Sequence, residues 1–305
     1  MIYTVTLNPA LDYIVRLSEL QSKDINRADS AEVIYGGKGI NVSLVLKELG
    51  LPNKALGFVA GFTGRGLQDM LQADGVKTDF VELPSGLTRI NVKLFAQKQW
   101  DVNAPGPKVD AGALTEFYEK IDALRAGDTL VMAGAVPENL PEDIYELIMQ
   151  KLQGRGIRIV VDTSGEALRK VLPYQPFLIK PNHHELSDLF GQEVLPTDET
   201  LIVKLAKNLQ EMGAASVLVS RGKYGAILVD ENGGIHSAGI VPGKPVNNVG
   251  CGDSMVAGFV AGYEMKQDYD YALRLGSAAG NASAFVDGIA SGTEIRNTLD
   301  QYFSK

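Results

Sequence analysis

"DTLVMAGAVPENLPEDIYELIMQKLQGRGIRIVVD", residues 128–162, is the stretch that decides the fold. It opens on an apolar run of buried-strand length (128–134). A helical segment follows near 141–153, and the stretch closes on a second such run (157–162). The same rhythm continues on both sides. "YTVTL" (3–7) and "KALGFVAG" (54–61) read as strands before it, and "FLIKPN" (177–182) and "ASVLVS" (215–220) after it. Helices are predicted over "KGINVSLVLKELG" (38–50) and near 111–125, 184–190 and 198–212. Continuous apolar strands alternating with helices predict an α/β fold, with a mostly parallel sheet covered on both faces and right-handed crossovers.

Two segments break the rhythm. Residues 11–35 lack a helix. "TRINVKLFA" (88–96) alternates, with Arg89, Asn91 and Lys93 on one face and Ile90, Val92 and Leu94 on the other. Together they predict a small sheet standing off the core. Its apolar side needs cover from the core or from a partner.

The chain has 305 residues, a net charge of −8, three histidines and one cysteine. That charge excludes a nonspecific binder of nucleic acid or acidic membranes. A single cysteine suits a reducing compartment, and neither a signal peptide nor a bilayer-length apolar run is present. The expectation is a cytoplasmic protein.

Chemistry concentrates in four motifs. In "NNVGCGDSMVAGFVAGY" (247–263), Gly250-Cys251-Gly252 precedes a small-residue helix and aims backbone N–H groups at one point, an anion site. Asp253 beside it either caps the helix or takes a proton from a hydroxyl while the turn stabilises a transferring phosphoryl group. "YGGKGINV" (35–42) is no Walker loop, since Gly39 follows Lys38. It reads as a tight turn, or as a polyhydroxyl site with Lys38 and Asn41 as donors. In "KPNHHEL" (180–186), Lys180 and Asn182 fall at a strand's C-terminal end, where open α/β sheets bind ligands. Asn182 and Glu185 could hold the water shell of Mg²⁺. His183, His184 and the distant His236 have no metal-ligand spacing, and the adjacent pair is expected to be exposed. "VSRGKYGAILV" (219–229) is a strand, a glycine turn and a strand, with Ser220 and Gly222 against a nucleotide or simply in a hairpin. Asn281, in "SAAGNASAF" (277–285), borders an adenine or packs in the core.

The order of these motifs, beginning with "TLNPALD", resembles the ribokinase-like (PfkB) sugar kinases over essentially the whole chain. The likeness is greatest to their phosphosugar branch, that of the fructose- and tagatose-phosphate kinases. It implies one ribokinase-like kinase domain (1–305) with β-lid segments near 11–35 and 88–104. It also implies ATP and Mg²⁺ as cofactors, and a homodimer paired through the lid. Asp253 matches the catalytic base, and Gly250, Cys251 and Gly252 the anion-hole turn. Asp12, Gly37, Lys38 and Asn41 match sugar contacts, and Arg89 a contact to the substrate's phosphate. Lys180, Ser220, Gly222, Gly225 and Asn281 match nucleotide contacts, with Asn182 and Glu185 organising the metal. Arg27 aligns loosely with a basic lid position. The "TRINVKL" strand fits best with phosphorylation of fructose 1-phosphate to the 1,6-bisphosphate. Alternatives are a tagatose 6-phosphate or fructose 6-phosphate kinase, a kinase of an unphosphorylated sugar or nucleoside, and a silent sugar-phosphate sensor. Three positions depart from the family pattern. Cys251 replaces an alanine, Ala133 and Ala135 replace serines, and Arg221 places a long cation near the nucleotide, where it could merely decorate the surface.

Overall fold

The computed structural model describes residues 1–22, 24–246 and 249–303. Asn247 and Asn248, which open the glycine motif, lie outside them.

In chain order the elements begin with β1 (Ile2–Thr6), β2 (Ala10–Arg16), β3 (Ser30–Gly36), α1 (Lys38–Glu48), β4 (Asn53–Ala60), α2 (Gly61–Ala73), β5 (Lys77–Thr78) and β6 (Val81–Leu83). Next come β7 (Arg89–Phe95), β8 (Gln99–Val102), α3 (Ala111–Asp122), β9 (Thr129–Ala133), α4 (Ile144–Leu152), β10 (Arg158–Asp162) and α5 (Gly165–Val171). The chain continues through β11 (Leu178–Ile179), α6 (His183–Phe190), α7 (Glu199–Glu211), β12 (Ser216–Ser220), β13 (Ala226–Val229) and β14 (Ile235–Ala238). It closes with α8 (Cys251–Lys266), α9 (Tyr269–Ala284) and α10 (Gly292–Thr298).

The main sheet runs β14-β13-β12-β11-β10-β9-β1-β4-β5, with β6 also on β4. From β12 to β5 every pairing is parallel, and β13 and β14 add an antiparallel edge. The buried strands are apolar on both sides because both sides are covered. Leu130, Met132, Ile159 and Val161 point into one apolar cluster with α3 to α7, while Val131 and Val160 point into another with α1, α8, α9 and α10.

The small residues of α8 and α9 let the two helices pack closely. A Cβ on Gly258 would stand 2.6 Å from the Leu275 carbonyl oxygen, and one on Gly276 2.8 Å from that of Met255. The two backbones are too close for side chains at these points.

The second sheet, β3-β2-β7-β8, is the one that breaks the rhythm. Its register puts Arg89, Asn91 and Lys93 on the same face as Asp12. This polar face is the inward one, with Asp12 and Asn91 both buried. The apolar face points outward. The row Val33–Tyr13–Val92–Val102 crosses all four strands, and Val33, Tyr13 and Val102 on it are 45%, 40% and 58% exposed. The core therefore does not cover this side.

No helix among the described residues is long and apolar enough to cross a membrane.

Candidate active site

The site lies where β1, β10 and β11 end at their C-terminal edge and the N-termini of α1, α6 and α8 converge on it. Gly250 is the N-cap residue of α8; it adopts φ +77° and has no side chain with which to cap the helix. Asp253 thus sits in the first turn without capping it. Its carboxylate instead accepts a 2.8 Å hydrogen bond from Asn41 Nδ2 on α1. This contact joins two of the motifs, although the residues are 212 positions apart in the chain. Burial, and then the nearby Asp162 carboxylate, push the Asp253 carboxyl up to about 6. The Asn41 hydrogen bond and the Lys38 and Lys180 ammonium groups pull the other way. A carboxylate poised near neutrality suits a general base.

Lys180 follows β11 and is almost fully buried. Its Nζ lies 3.1 Å from Asp162 Oδ1, and the place of a Cβ on Gly252 is 3.4 Å from the same Nζ. The ammonium therefore packs against the glycine turn at ordinary contact distance. Burial alone would lower the Lys180 ammonium, but Asp162, with Glu185 and Asp253 behind it, reverses this and raises it. Lys38 Nζ reaches the other Asp162 oxygen at 3.7 Å. Asp162 is the residue that the sequence reading missed. It ends "IRIVVD" at a strand's C-terminal edge, a signal that was available. Burial, followed by the Asp253 charge, raises the Cys251 thiol.

The residues that the resemblance assigns to the sugar gather at the inner face of the second sheet and the start of α1. Asp12 accepts from Asn91 Nδ2 at 2.8 Å and pairs with Lys93 Nζ at 2.7 Å. Arg89 Nε donates to the Asn8 carbonyl oxygen at 3.2 Å, and burial lowers its guanidinium against an upward pull from Asp12. Gly37 adopts φ +136°, and a Cβ there would strike the Thr6 methyl. Ala133 closes β9, and the carbonyl of the following Gly134 accepts from the buried Tyr145 hydroxyl. Arg27 is exposed between β2 and β3.

At the start of α6, Asn182 and Glu185 form a capping box. Asn182 Oδ1 accepts from the His184 and Glu185 amides, and Glu185 Oε2 accepts from the Asn182 amide at 2.7 Å. The box fixes both side chains at the mouth of α6. No cluster of three or more His, Cys, Asp or Glu among the described residues could hold a metal directly. A donor set this sparse fits Mg²⁺, which keeps several waters and takes further ligands from phosphates.

Ser220 bridges to Asn182. Gly222 adopts φ +56° in the turn between β12 and β13, which do form a hairpin. A Cβ on Gly225 would stand 2.0 Å from the Ala238 carbonyl oxygen. Asn281 spends its amide on backbone, accepting from Val241 N and donating to the Ser277 carbonyl. It thereby tethers the chain that leads to the glycine turn.

Two expectations need correcting. Arg221 does not decorate the surface. It is 5% exposed, and its guanidinium pairs with Glu199 at 2.7 Å. Of the adjacent histidines only His184 is exposed. The His183 ring packs tilted against it, with centroids 3.9 Å apart, and is itself partly buried.

The profile of the pfkB family carbohydrate kinases matches residues 5–296. This chain belongs to that family. Its fold is that of the ribokinase-like kinases. The chain is 43% identical to 1-phosphofructokinase of Bacillus subtilis (strain 168), over 99% of this chain and 98% of the relative. It is 36% identical to D-tagatose-1-phosphate kinase of Bacillus licheniformis, over 99% and 98%. The solved phosphofructokinase-2 of Escherichia coli, in complex with substrates and products, superposes with a TM-score of 0.90 at 30% identity, over 99% of each chain. As a pfkB carbohydrate kinase, the chain is an enzyme that moves phosphate to a sugar hydroxyl.

Proposed function

We propose that the whole chain is one kinase domain that phosphorylates a ketose phosphate with ATP. The preferred substrate is fructose 1-phosphate and the product fructose 1,6-bisphosphate, formed in the cytoplasm. The observation that carries the chemistry is Asp253, raised to about 6 in the first turn of α8 beside a buried lysine.

Asp253 accepts the proton of the sugar's free primary hydroxyl. That oxygen forms a bond to the γ-phosphorus as the bond to the ADP oxygen breaks. The 250–252 amides and Lys180 stabilise the equatorial oxygens, and positioning and electrostatics do most of the work. Asn182 and Glu185 would hold Mg²⁺ through water, and the ion, when bound, neutralises phosphate charge. Asp12, Gly37, Lys38 and Asn41 orient the sugar. Ser220, Gly222 and Gly225 border the nucleotide, with Asn281 holding the adjoining loop.

ADP release, assayed over a panel of fructose 1-, fructose 6-, tagatose 1- and tagatose 6-phosphate, fructose and ribose, tests the reading. Turnover only of unphosphorylated sugars would refute it. The D-tagatose-1-phosphate kinase relative supports tagatose 1-phosphate as a second substrate, since both ketoses would present phosphate to the same residues.

Arg89 receives the substrate's phosphate. Arg89→Ala removes a charge-assisted contact of about 1.5–3 kcal/mol and should raise the sugar-phosphate KM roughly 10- to 100-fold, with the ATP KM little changed. Equal increases in both would remove Arg89 from the phosphate site.

We also assign the outward apolar face of the lid to a second copy of the chain. A two-sided sheet with Val33, Tyr13 and Val102 in water is unstable by itself. Sedimentation should give twice the chain mass, and Val33→Glu with Val102→Glu should give monomers. A wild-type monomer at micromolar concentration would contradict the assignment.

A further inference from the structure

Asp12 is confined on three sides by the lid. On β7, Asn91 Nδ2 donates to Oδ1 at 2.8 Å and Lys93 Nζ pairs with Oδ2 at 2.7 Å. On β3, a Cβ added to Gly36 would stand 3.0 Å from Oδ1 and 3.1 Å from Oδ2. Each carboxylate oxygen therefore has one lid donor, and the open side of Gly36 supplies the room. The amide orientation of Asn91 follows from chemistry, because a carboxylate only accepts and the nitrogen must face it. This leaves the buried Asn91 Oδ1 without a partner.

The clamp exists only while β2 and β7 are paired in register, with Asp12 opposite Asn91 and Ile14 opposite Lys93. A slip of β7 by one residue would turn Asn91 and Lys93 to the outer face, away from Asp12. Lys93 keeps 18% of its side chain exposed, so it borders the cleft without being a free surface lysine.

We propose that Lys93 and Asn91 are positioning residues for sugar recognition. They lock Asp12 in one rotamer, so that its remaining lone pairs meet the ketose hydroxyls in a fixed direction. Recognition of the sugar is thereby tied to correct pairing of the lid strands. Each carboxylate oxygen has a second lone pair free once its lid donor is satisfied. A carboxylate held in place loses less conformational freedom on binding than one that must be ordered by the ligand. The inference rests on Asp12 being a sugar contact.

The test is steady-state kinetics with fructose 1-phosphate and ATP on Lys93→Met, Lys93→Arg, Asp12→Asn and the double variant Asp12→Asn/Lys93→Met. Lys93→Met should raise the sugar-phosphate KM at least tenfold and leave the ATP KM within twofold, and Lys93→Arg should recover most of the loss. The double variant should be no worse than Asp12→Asn alone, because Lys93 acts only through Asp12.

Additive losses would overturn the proposal, since Lys93 would then be acting on the ligand itself. An unchanged sugar KM in Lys93→Met, with Asp12→Asn impaired, would also overturn it. An unchanged sugar KM in Asp12→Asn would instead sink the underlying reading of Asp12. If Lys93→Met does not fold, Lys93→Gln, which keeps a donor toward Asp12, takes its place. Its sugar KM should fall between those of wild type and Asp12→Asn, and any value outside that range counts against the clamp.

Discussion

Asp253→Asn should lower kcat at least about 100-fold, the lower range for a lost general base, and yet leave the protein more stable at pH 8. The two effects have one cause. In the unfolded chain Asp253 titrates near the ordinary aspartate value of about 4, whereas in the folded chain burial and Asp162 raise it to about 6. Folding therefore favours the protonated carboxyl. Above pH 6 the ionised group costs stability. The cost shrinks as pH falls through 6 and is gone below about pH 4, where both states are protonated. Two pKa units correspond to roughly 3 kcal/mol, an order-of-magnitude figure. Asparagine resembles the neutral acid and can still accept from Asn41 through its own oxygen, so it removes the whole cost at pH 8 and roughly half of it at pH 5. Urea unfolding of both proteins at the two pH values measures this. A variant less stable than wild type at pH 8 would mean that the carboxylate is held for structure.

The same titration predicts an acid limb in wild-type kcat near pH 6. The limb in kcat/KM should be steeper, because a phosphate monoester takes up its second proton in the same range. Asp253→Asn should lose only the enzyme's part of it.

Much of this was legible in the sequence, and the parts that were not have physical reasons. The parallel core could be read because strands covered on both faces, such as "LVMA" and "IVV", are apolar without interruption. Helix α2 went unread. Its opening, "GFTGRG", spends three of six residues on glycine, which argues against a helix by propensity. Tertiary packing demands it, since a Cβ on Gly64 would stand 2.9 Å from Thr88 Oγ1 and 3.0 Å from Val59 Cβ.

The alternation of "TRINVKL" was plain, but pattern alone does not say which face turns inward. Usually the apolar face does. Here the polar one does, because Asp12 finds its donors Asn91 and Lys93 on that face and the three are satisfied there together. The glycine turn and Asp253 stood out locally, yet their setting did not. Asn41, Lys180 and Asp162 come from three separate elements and meet Asp253 only through the sheet topology. The burial of Arg221 is invisible in the sequence for a related reason. Its partner Glu199 lies 22 residues upstream at the start of α7, and no local pattern connects them.

The buried Lys180–Asp162 pair should show the largest stability effect. Both side chains are almost wholly buried and their charged atoms are 3.1 Å apart. Lys180→Met leaves Asp162 with only the half-exposed Lys38 at 3.7 Å. Removing one partner of a buried pair costs about 3–5 kcal/mol, whereas replacing both is often close to neutral. The double variant Lys180→Met/Asp162→Asn should therefore regain most of the stability lost by Lys180→Met, measured as unfolding free energy in urea. It should regain none of the activity, because the ammonium that faces the glycine turn is gone.

The acid limb of kcat adds a signed check. Asp162 raises Asp253 and Lys180 lowers it, so Asp162→Asn should move the limb below pH 6 and Lys180→Met should move it above. A double variant as unstable as Lys180→Met would show that the pair is not energetically coupled. Limb shifts in the opposite directions would show that these two charges do not set the proton affinity of Asp253. Either result would separate the lysine–aspartate pair from the base it is inferred to tune.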